Sequence, residues 1–176
     1  MKLIVGLGNP GDIYKNNRHN IGFLFLDYFV KKNNLKFKFD KKFNSEIIKD
    51  LDYFFVKPQA FMNNSGFSIK KIFDYYNFLA DVLDFQDNLI VIHDELDLDF
   101  GNFKISYNSG SAGHNGVKSI IDYLDTKKFT RVRIGISNEN RNKISTDRFV
   151  LNNFSDSEKN KLLNIFQSIE KKLALY

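Results

Sequence analysis

The sequence predicts a single α/β domain in which helices flank a mixed, mostly buried central sheet. Its 176 residues suit one domain, because domains typically hold roughly 100–200 residues. Apolar residues make up 43% of the chain and charged residues 27%, which is ordinary for a globular protein. Short apolar runs alternate with segments of helical periodicity, and this order of strands and helices predicts the α/β class.

The first half of the chain alternates strands with helices. The first strand is a short apolar run that ends at the turn Gly8-Asn9-Pro10-Gly11. Two apolar runs around Leu51-Asp52 predict a hairpin, and apolar residues at helical spacing predict a helix on either side of it. In chain order these elements are a strand over 2–7, a helix over 20–32, strands over 46–50 and 53–57, and a helix over 64–78.

The second half repeats the pattern. Residues 88–93 form a continuous apolar run, which is typical of a strand buried on both faces. The glycine-rich segment Gly110–Gly116 opens a helix that continues to about Leu124. Ser155 and Glu158 have the spacing of a capping box, which predicts the start of the last helix. Two further strands are predicted over 103–107 and 129–137.

Composition excludes several classes of protein. The chain has no cysteine, so it has no disulfide framework, thiolate nucleophile, Cys-ligated zinc or iron–sulfur cluster. It has no run of about 18 apolar residues that would span a membrane, and its first residues lack the pattern of a signal peptide. We therefore expect a cytoplasmic protein without a membrane partner.

The formal charge of +5 has two interpretations. A basic protein suits an anionic partner such as nucleic acid. Alternatively, the 21 Lys, 21 Asn and 19 Phe reflect a bias towards A/T-rich codons. Charge alone does not decide between these interpretations.

The segment Gly6–Gly11 satisfies the pattern G-x-G-x-x-G, which is typical of a dinucleotide site. That site needs an acidic residue about 20 positions further on, whereas Lys31–Asn34 stands there. Pro10 also removes a backbone N–H from the turn. We interpret the segment as a tight turn, in which Asn9 is the residue that the turn itself does not require.

Histidine and acidic residues form the next candidate site. His19 precedes a helix and is either a capping residue or a general base, since neutral imidazole accepts a proton near neutral pH. The acidic run His93–Asp99 is a solvated turn, a metal site, or the source of a carboxylate that orients His19. Alternate residues of an extended chain point to opposite sides, so at most half of the run converges on one ion. For Asp94 we favour the orienting carboxylate.

Two loops complete the candidates. Pro58–Gly66 places Met62 beside two asparagines, which suits either a helix cap or a grip on a ligand through apolar and amide contacts. Gly110–Gly116 is either a flexible turn or a loop whose exposed N–H groups bind an anion at a helix start.

Together and in this order, these motifs closely resemble the bacterial peptidyl-tRNA hydrolase family. The glycine loop is one residue shorter than the G-S-A-G-G-H-N-G that is common in that family. The matching segments are Gly6–Gly11 with Tyr14, Arg18–Gly22, Lys57–Gly66, His93–Gly101, Gly113–Gly116 and Arg133–Gly135.

The resemblance implies hydrolysis of the ester between a peptide and its tRNA, by a monomer that uses neither metal nor cofactor. The substrate is N-blocked aminoacyl-tRNA, held by its acceptor stem and 3′ end. The residues implied are His19 and Asp94 for catalysis, Asn9, Tyr14, Met62, Asn63, His114 and Asn115 for substrate binding, and Lys104 and Arg133 for tRNA binding.

Two alternatives stay open at this stage. The first is a metal-dependent hydrolase built on residues 93–97, and a chelator would inactivate it. The second is a nucleotide- or RNA-binding module without catalysis, which would bind tRNA and leave a peptidyl ester intact.

Overall fold

A computed structural model describes residues 2–50, 52–76 and 85–175. The last two positions of the helix predicted over 64–78 lie outside these ranges. The strands are β1 (Lys2–Gly6), β2 (Lys38–Asp40), β3 (Ser45–Asp50), β4 (Tyr53–Pro58), β5 (Phe85–Asp99), β6 (Phe103–Tyr107) and β7 (Phe129–Ser137). The helices are α1 (Ile21–Lys32), α2 (Ser65–Tyr76), α3 (Asn115–Leu124), α4 (Thr146–Val150) and α5 (Asp156–Leu173).

These strands form one mixed sheet in the order β2-β3-β4-β1-β5-β7-β6. The four central strands, β4, β1, β5 and β7, are parallel, whereas β2, β3 and β6 are antiparallel to their neighbours. The fold class predicted from the sequence is therefore confirmed. Because β4, β1, β5 and β7 run in the same direction, the loops that follow them gather at one edge of the sheet, where ligand sites form in open α/β sheets.

Alternating side chains of the central strands supply a core on each face of the sheet. Ile4 and Ile92 pack in the cluster that includes the apolar faces of α1 and α5. Their neighbours Val5 and Val91 pack in the cluster that includes α2 and α3. Helices therefore cover both faces, as the continuous apolar strands predicted.

Gly22 allows α1 to begin against the sheet. A Cβ atom there would collide with the carbonyl oxygen of Ile92 and the backbone nitrogen of Leu7. Because glycine has no side chain, the start of α1 lies against the ends of β1 and β5. The residues just before α1, including His19, are thereby brought to the edge of the sheet where the loops gather.

Three elements differ from prediction. β5 continues to Asp99, although a turn at 93–99 was one of the interpretations, because β7 pairs with it as far as Glu95 and again at Asp99. β2 and α4 were not predicted, since three and five residues are too few to show a periodicity.

Within the described ranges, every helix is too short or too polar to cross a bilayer.

Candidate active site

A cleft of about 590 Å³ opens at the edge where these loops gather. Its walls come from the segments after β1, β4 and β7, from β5 itself, and from the loop before α3. Seven of the predicted site residues line it, namely Asn9, His19, Met62, Asn63, Asp94, His114 and Asn115.

His19 and Asp94 form a hydrogen-bonded pair in this cleft. Nδ1 of His19 lies 2.8 Å from Oδ1 of Asp94, and the two side chains are 12% and 2% exposed. A carboxylate only accepts hydrogen bonds, so Nδ1 carries a proton. In the neutral ring this leaves Nε2 with the lone pair, which is the form of a general base.

The pKa values of the pair move in opposite directions. Burial alone would lower the pKa of His19, but the charge of Asp94 and its hydrogen bond, with a contribution from the charge of Asp147, raise that pKa above its usual value. Burial alone would raise the pKa of Asp94, but the charges of His19 and His114 and the hydrogen bonds from both rings hold that pKa well below its usual range. Asp94 is therefore a carboxylate throughout the neutral pH range.

Arg18 fixes the turn that carries His19. Its guanidinium pairs with Glu158 at the start of α5, with Nη2 2.9 Å from Oε2, and both side chains are largely buried. The rings of Phe149 and Phe154 each lie with their centre 4.9 Å from the guanidinium carbon. The segment that contains His19 is thus tied to the start of α5 by charge and by packing.

His114 is a second imidazole in contact with Asp94. Its Nε2 lies 2.9 Å from the same Oδ1 atom that His19 contacts. Its Nδ1 accepts hydrogen bonds from the backbone N–H groups of Gly116 at 3.1 Å and Val117 at 3.2 Å, which makes His114 the N-cap of α3. The carboxylate oxygen of Asp94 is therefore shared by two imidazoles.

Asn9 is held by three hydrogen bonds. Its backbone N–H donates to Oδ1 of Asn20, and its backbone C=O accepts from Nδ2 of Asn20, both at a distance of 2.9 Å. Its own Oδ1 accepts the backbone N–H of Met62 at 2.8 Å. With the amide oxygen engaged, the NH2 group is the part of the Asn9 side chain left for a ligand, and it can only donate.

Asn20 was not predicted as a site residue. It directly follows His19, but its partner Asn9 lies eleven positions earlier across an irregular loop. No periodicity links the two, so only the folded chain reveals the pairing.

Three further predicted residues lie at the rim of the cleft or beside it. Asn63 and Asn115 are exposed and line the cleft, Asn63 from the segment before α2 and Asn115 from the first residue of α3. Tyr14 is not among the lining residues. Its ring packs edge-on against the exposed ring of Phe61, which does line the cleft, with 6.2 Å between ring centres.

The far wall of the cleft was not predicted. It is formed by the segment after β7 and by α4, with both charged and apolar side chains. This wall contains Arg141, Thr146, Asp147, Val150 and Leu151.

Lys104 and Arg133 are direct cross-strand partners on β6 and β7, outside the cleft. Arg133 also donates from Nε to Glu95 Oε2 at 2.8 Å. Arg131 is 2% exposed and donates to the backbone carbonyls of Ser109 and Gly110, so it anchors the glycine-rich loop from within.

The acidic run does not gather into the predicted metal site within the described part of the chain. His93 bonds the carbonyl oxygen of Asp94, and Glu95 bonds Arg133. The close group is instead His19, Asp94 and His114, whose ligand atoms lie within 4.8 Å of one another. Hydrogen bonds already account for the contacts of Asp94 with both rings, whereas a metal would need ring nitrogens without protons directed at it.

The chain is similar in sequence to known proteins of one family. The protein-family model described as peptidyl-tRNA hydrolase matches residues 3–176. A peptidyl-tRNA hydrolase of Mycoplasma capricolum is 43% identical over 171 residues, covering 96% of this chain and 88% of that protein. One of Campylobacter concisus is 46% identical over 162 residues, covering 92% and 81%.

A solved structure shares the fold. The crystal structure of peptidyl-tRNA hydrolase from Acinetobacter baumannii superposes with a TM-score of 0.84 at 29% identity, covering 99% of this chain and 87% of that chain. The resemblance drawn from the sequence motifs is confirmed. The chain belongs to the peptidyl-tRNA hydrolase family.

Proposed function

We propose that this protein, as one domain over residues 1–176, hydrolyses the ester between peptide and tRNA with His19 as general base and without a metal ion. Membership of the family supports the substrate and the reaction. The observation that carries the residue roles is the 2.8 Å contact between His19 Nδ1 and Asp94 Oδ1 at the wall of the cleft.

The base acts through Nε2 of His19. It takes a proton from water as the water oxygen attacks the ester carbonyl, and the resulting imidazolium returns the proton to the departing 3′ oxygen of the tRNA. Peptide acid and free tRNA are the products. General base catalysis of this kind contributes roughly 10²–10⁴-fold to a rate.

Asparagine side chains donate hydrogen bonds to the carbonyl oxygen of the ester. The NH2 group of Asn9 is fixed in direction because the backbone N–H of Met62 donates to the amide oxygen of Asn9. We assign it, with the exposed side chains of Asn63 and Asn115, to the developing oxyanion and the peptide backbone. One well-placed donor is worth about 3–4 kcal/mol in the transition state.

The apolar groups of the cleft hold the rest of the acyl group. Met62 is buried in the wall and offers a soft apolar contact. Tyr14 reaches the substrate from the rim, beside the exposed ring of Phe61.

The tRNA is bound by charge. Lys104 and Arg133 share one face of the β6–β7 pair and supply cations for phosphates of the acceptor stem. The 3′ end then enters the cleft next to Asn9 and His19. A phosphate-directed surface reads little of the tRNA sequence. We assign the protein to the cytoplasm as a monomer.

Incubation of the purified protein with an N-acetylated aminoacyl-tRNA tests the function. We expect free tRNA and N-acetyl amino acid, at the same rate with and without EDTA. Activity lost to EDTA and restored by a divalent metal would identify a metal-dependent hydrolase. Binding of the labelled tRNA without release of the acyl group would identify a binding module.

A further inference from the structure

The ring of His114 has both nitrogens engaged. Nδ1 accepts from two backbone N–H groups at the start of α3, and Nε2 faces Oδ1 of Asp94. The ring also packs against two other imidazoles, with its centre 4.9 Å from that of His19 and 4.7 Å from that of His93. Its side chain is 7% exposed, so little of it faces the cleft.

This bonding pattern fixes the tautomer of the neutral ring. A ring nitrogen that accepts hydrogen bonds has no proton, so Nδ1 is the bare nitrogen and Nε2 carries the hydrogen. A carboxylate oxygen accepts from Nε2 in return. The first turn of α3 therefore determines which way the proton of His114 points.

We infer that His114 is a positioning residue, which donates from Nε2 to Asp94 and acts on the reaction through Asp94 and His19 rather than by contact with substrate. This inference rests on the proposed function, and it replaces the substrate-binding role that the family resemblance implied for His114. The geometric basis is that one oxygen, Oδ1 of Asp94, meets both rings within hydrogen-bonding distance.

The consequence is a fixed direction for the carboxylate. Because both N–H donors meet the same oxygen, rotation of the carboxylate that moves Oδ1 away would break both bonds. The carboxylate therefore presents Oδ1 to His19 in one orientation, and His19 in turn keeps its proton on Nδ1 and its lone pair on Nε2. The first turn of α3 is thus coupled to the base through three hydrogen bonds in series, from its backbone N–H groups to His114, from His114 to Asp94 and from His19 to Asp94.

Nitrogen NMR of histidine-labelled protein tests the tautomer without reference to activity. At pH 8 we expect the Nε2–H form for His114 and the Nδ1–H form for His19, with the His114 signals assigned from their loss in a His114→Asn variant. An Nδ1–H form at His114 would overturn the inference, even if the protein hydrolyses peptidyl-tRNA. The expected tautomers in a protein without esterase activity would refute the proposed function alone.

Two variants separate the ring nitrogens. In His114→Asn the amide oxygen takes the place of Nδ1, and asparagine is a favoured N-cap, so the helix start survives and the donor to Asp94 is lost. In His114→Gln the longer side chain brings an NH2 group near the position of Nε2, so the donor is restored without the cap.

Kinetics of these variants complete the test. A hydrogen bond to a charged group corresponds to roughly a 10- to 100-fold effect, so we expect His114→Asn to lower kcat by that factor with KM within about twofold. His114→Gln should recover most of kcat. Native kcat in the Asn variant, a change in KM instead of kcat, or an equal loss of kcat in the Gln variant would each show that Nε2 is not a donor that positions Asp94.

Discussion

Replacing Asp94 by Asn removes a charge from the centre of the site and leaves its shape. The amide keeps an oxygen for the rings of His19 and His114, which lie 2.8 and 2.9 Å away. Opposite charges about 4 Å apart attract by about 4 kcal/mol at an effective dielectric constant near 20. The retained hydrogen bonds offset part of this loss, so on the order of 2–4 kcal/mol is lost from the imidazolium that forms in the transition state. The expected decrease in kcat is about 30- to 1,000-fold.

The Asp94→Asn substitution should also shift the pH dependence of kcat/KM. The charge of Asp94 raises the pKa of His19, so Asp94→Asn should lower that pKa. A general base works when deprotonated, and the acid limb of kcat/KM should therefore move to lower pH. KM should change little, because Asp94 is 3% exposed and its carboxylate is engaged by the rings of His19 and His114.

The assay is release of N-acetyl amino acid from N-acetylated aminoacyl-tRNA between pH 5 and 9. Asp99→Asn is the matched control, since it removes an exposed carboxylate at the end of the same strand. A kcat within about threefold of the native value, together with an unmoved acid limb, would refute the role given to Asp94.

Two other substitutions test the surroundings of the site. Arg133→Ala should weaken tRNA binding and reduce the slope of log Kd against log salt by about one. Single-turnover hydrolysis at saturating enzyme should be unchanged. An unaltered slope in filter binding would contradict the phosphate contact. Arg18→Met removes one partner of a largely buried ion pair and should lower the free energy of unfolding by about 3 kcal/mol in urea titrations, whereas a loss below about 1 kcal/mol would show that Glu158 is satisfied without it.

Periodicity predicted the parts of the fold that depend on burial. The strands of the parallel centre and the long helices follow from apolar runs and helical spacing, because each buries a continuous face. The extension of β5 through Asp94 and Glu95 did not follow from such a pattern. Buried acids oppose a strand interior unless partners compensate them, and those partners, His19, His114 and Arg133, come from distant segments.

The order of the motifs predicted most of the residues that line the cleft, but not the hydrogen bonds that fix the loops around it. The contact of His19 with Asp94 was expected from the chemistry of a base and its orienting carboxylate, and the folded chain brings the two together. The pairing of Asn20 with Asn9 depends on loop geometry that no spacing rule describes. Arg131 shows the same limit, since alternation along β7 puts it on the same face as Arg133 but gives no sign that loop carbonyls bind its guanidinium.

The role of His19 as the base is tested most directly by a single-turnover experiment on His19→Ala. With enzyme in excess over N-acetylated aminoacyl-tRNA, we expect hydrolysis to slow by roughly 10²–10⁴-fold while Kd for the tRNA stays within about twofold of the native value. A folded His19→Ala protein that hydrolyses the bound ester within about threefold of the native rate would contradict the account.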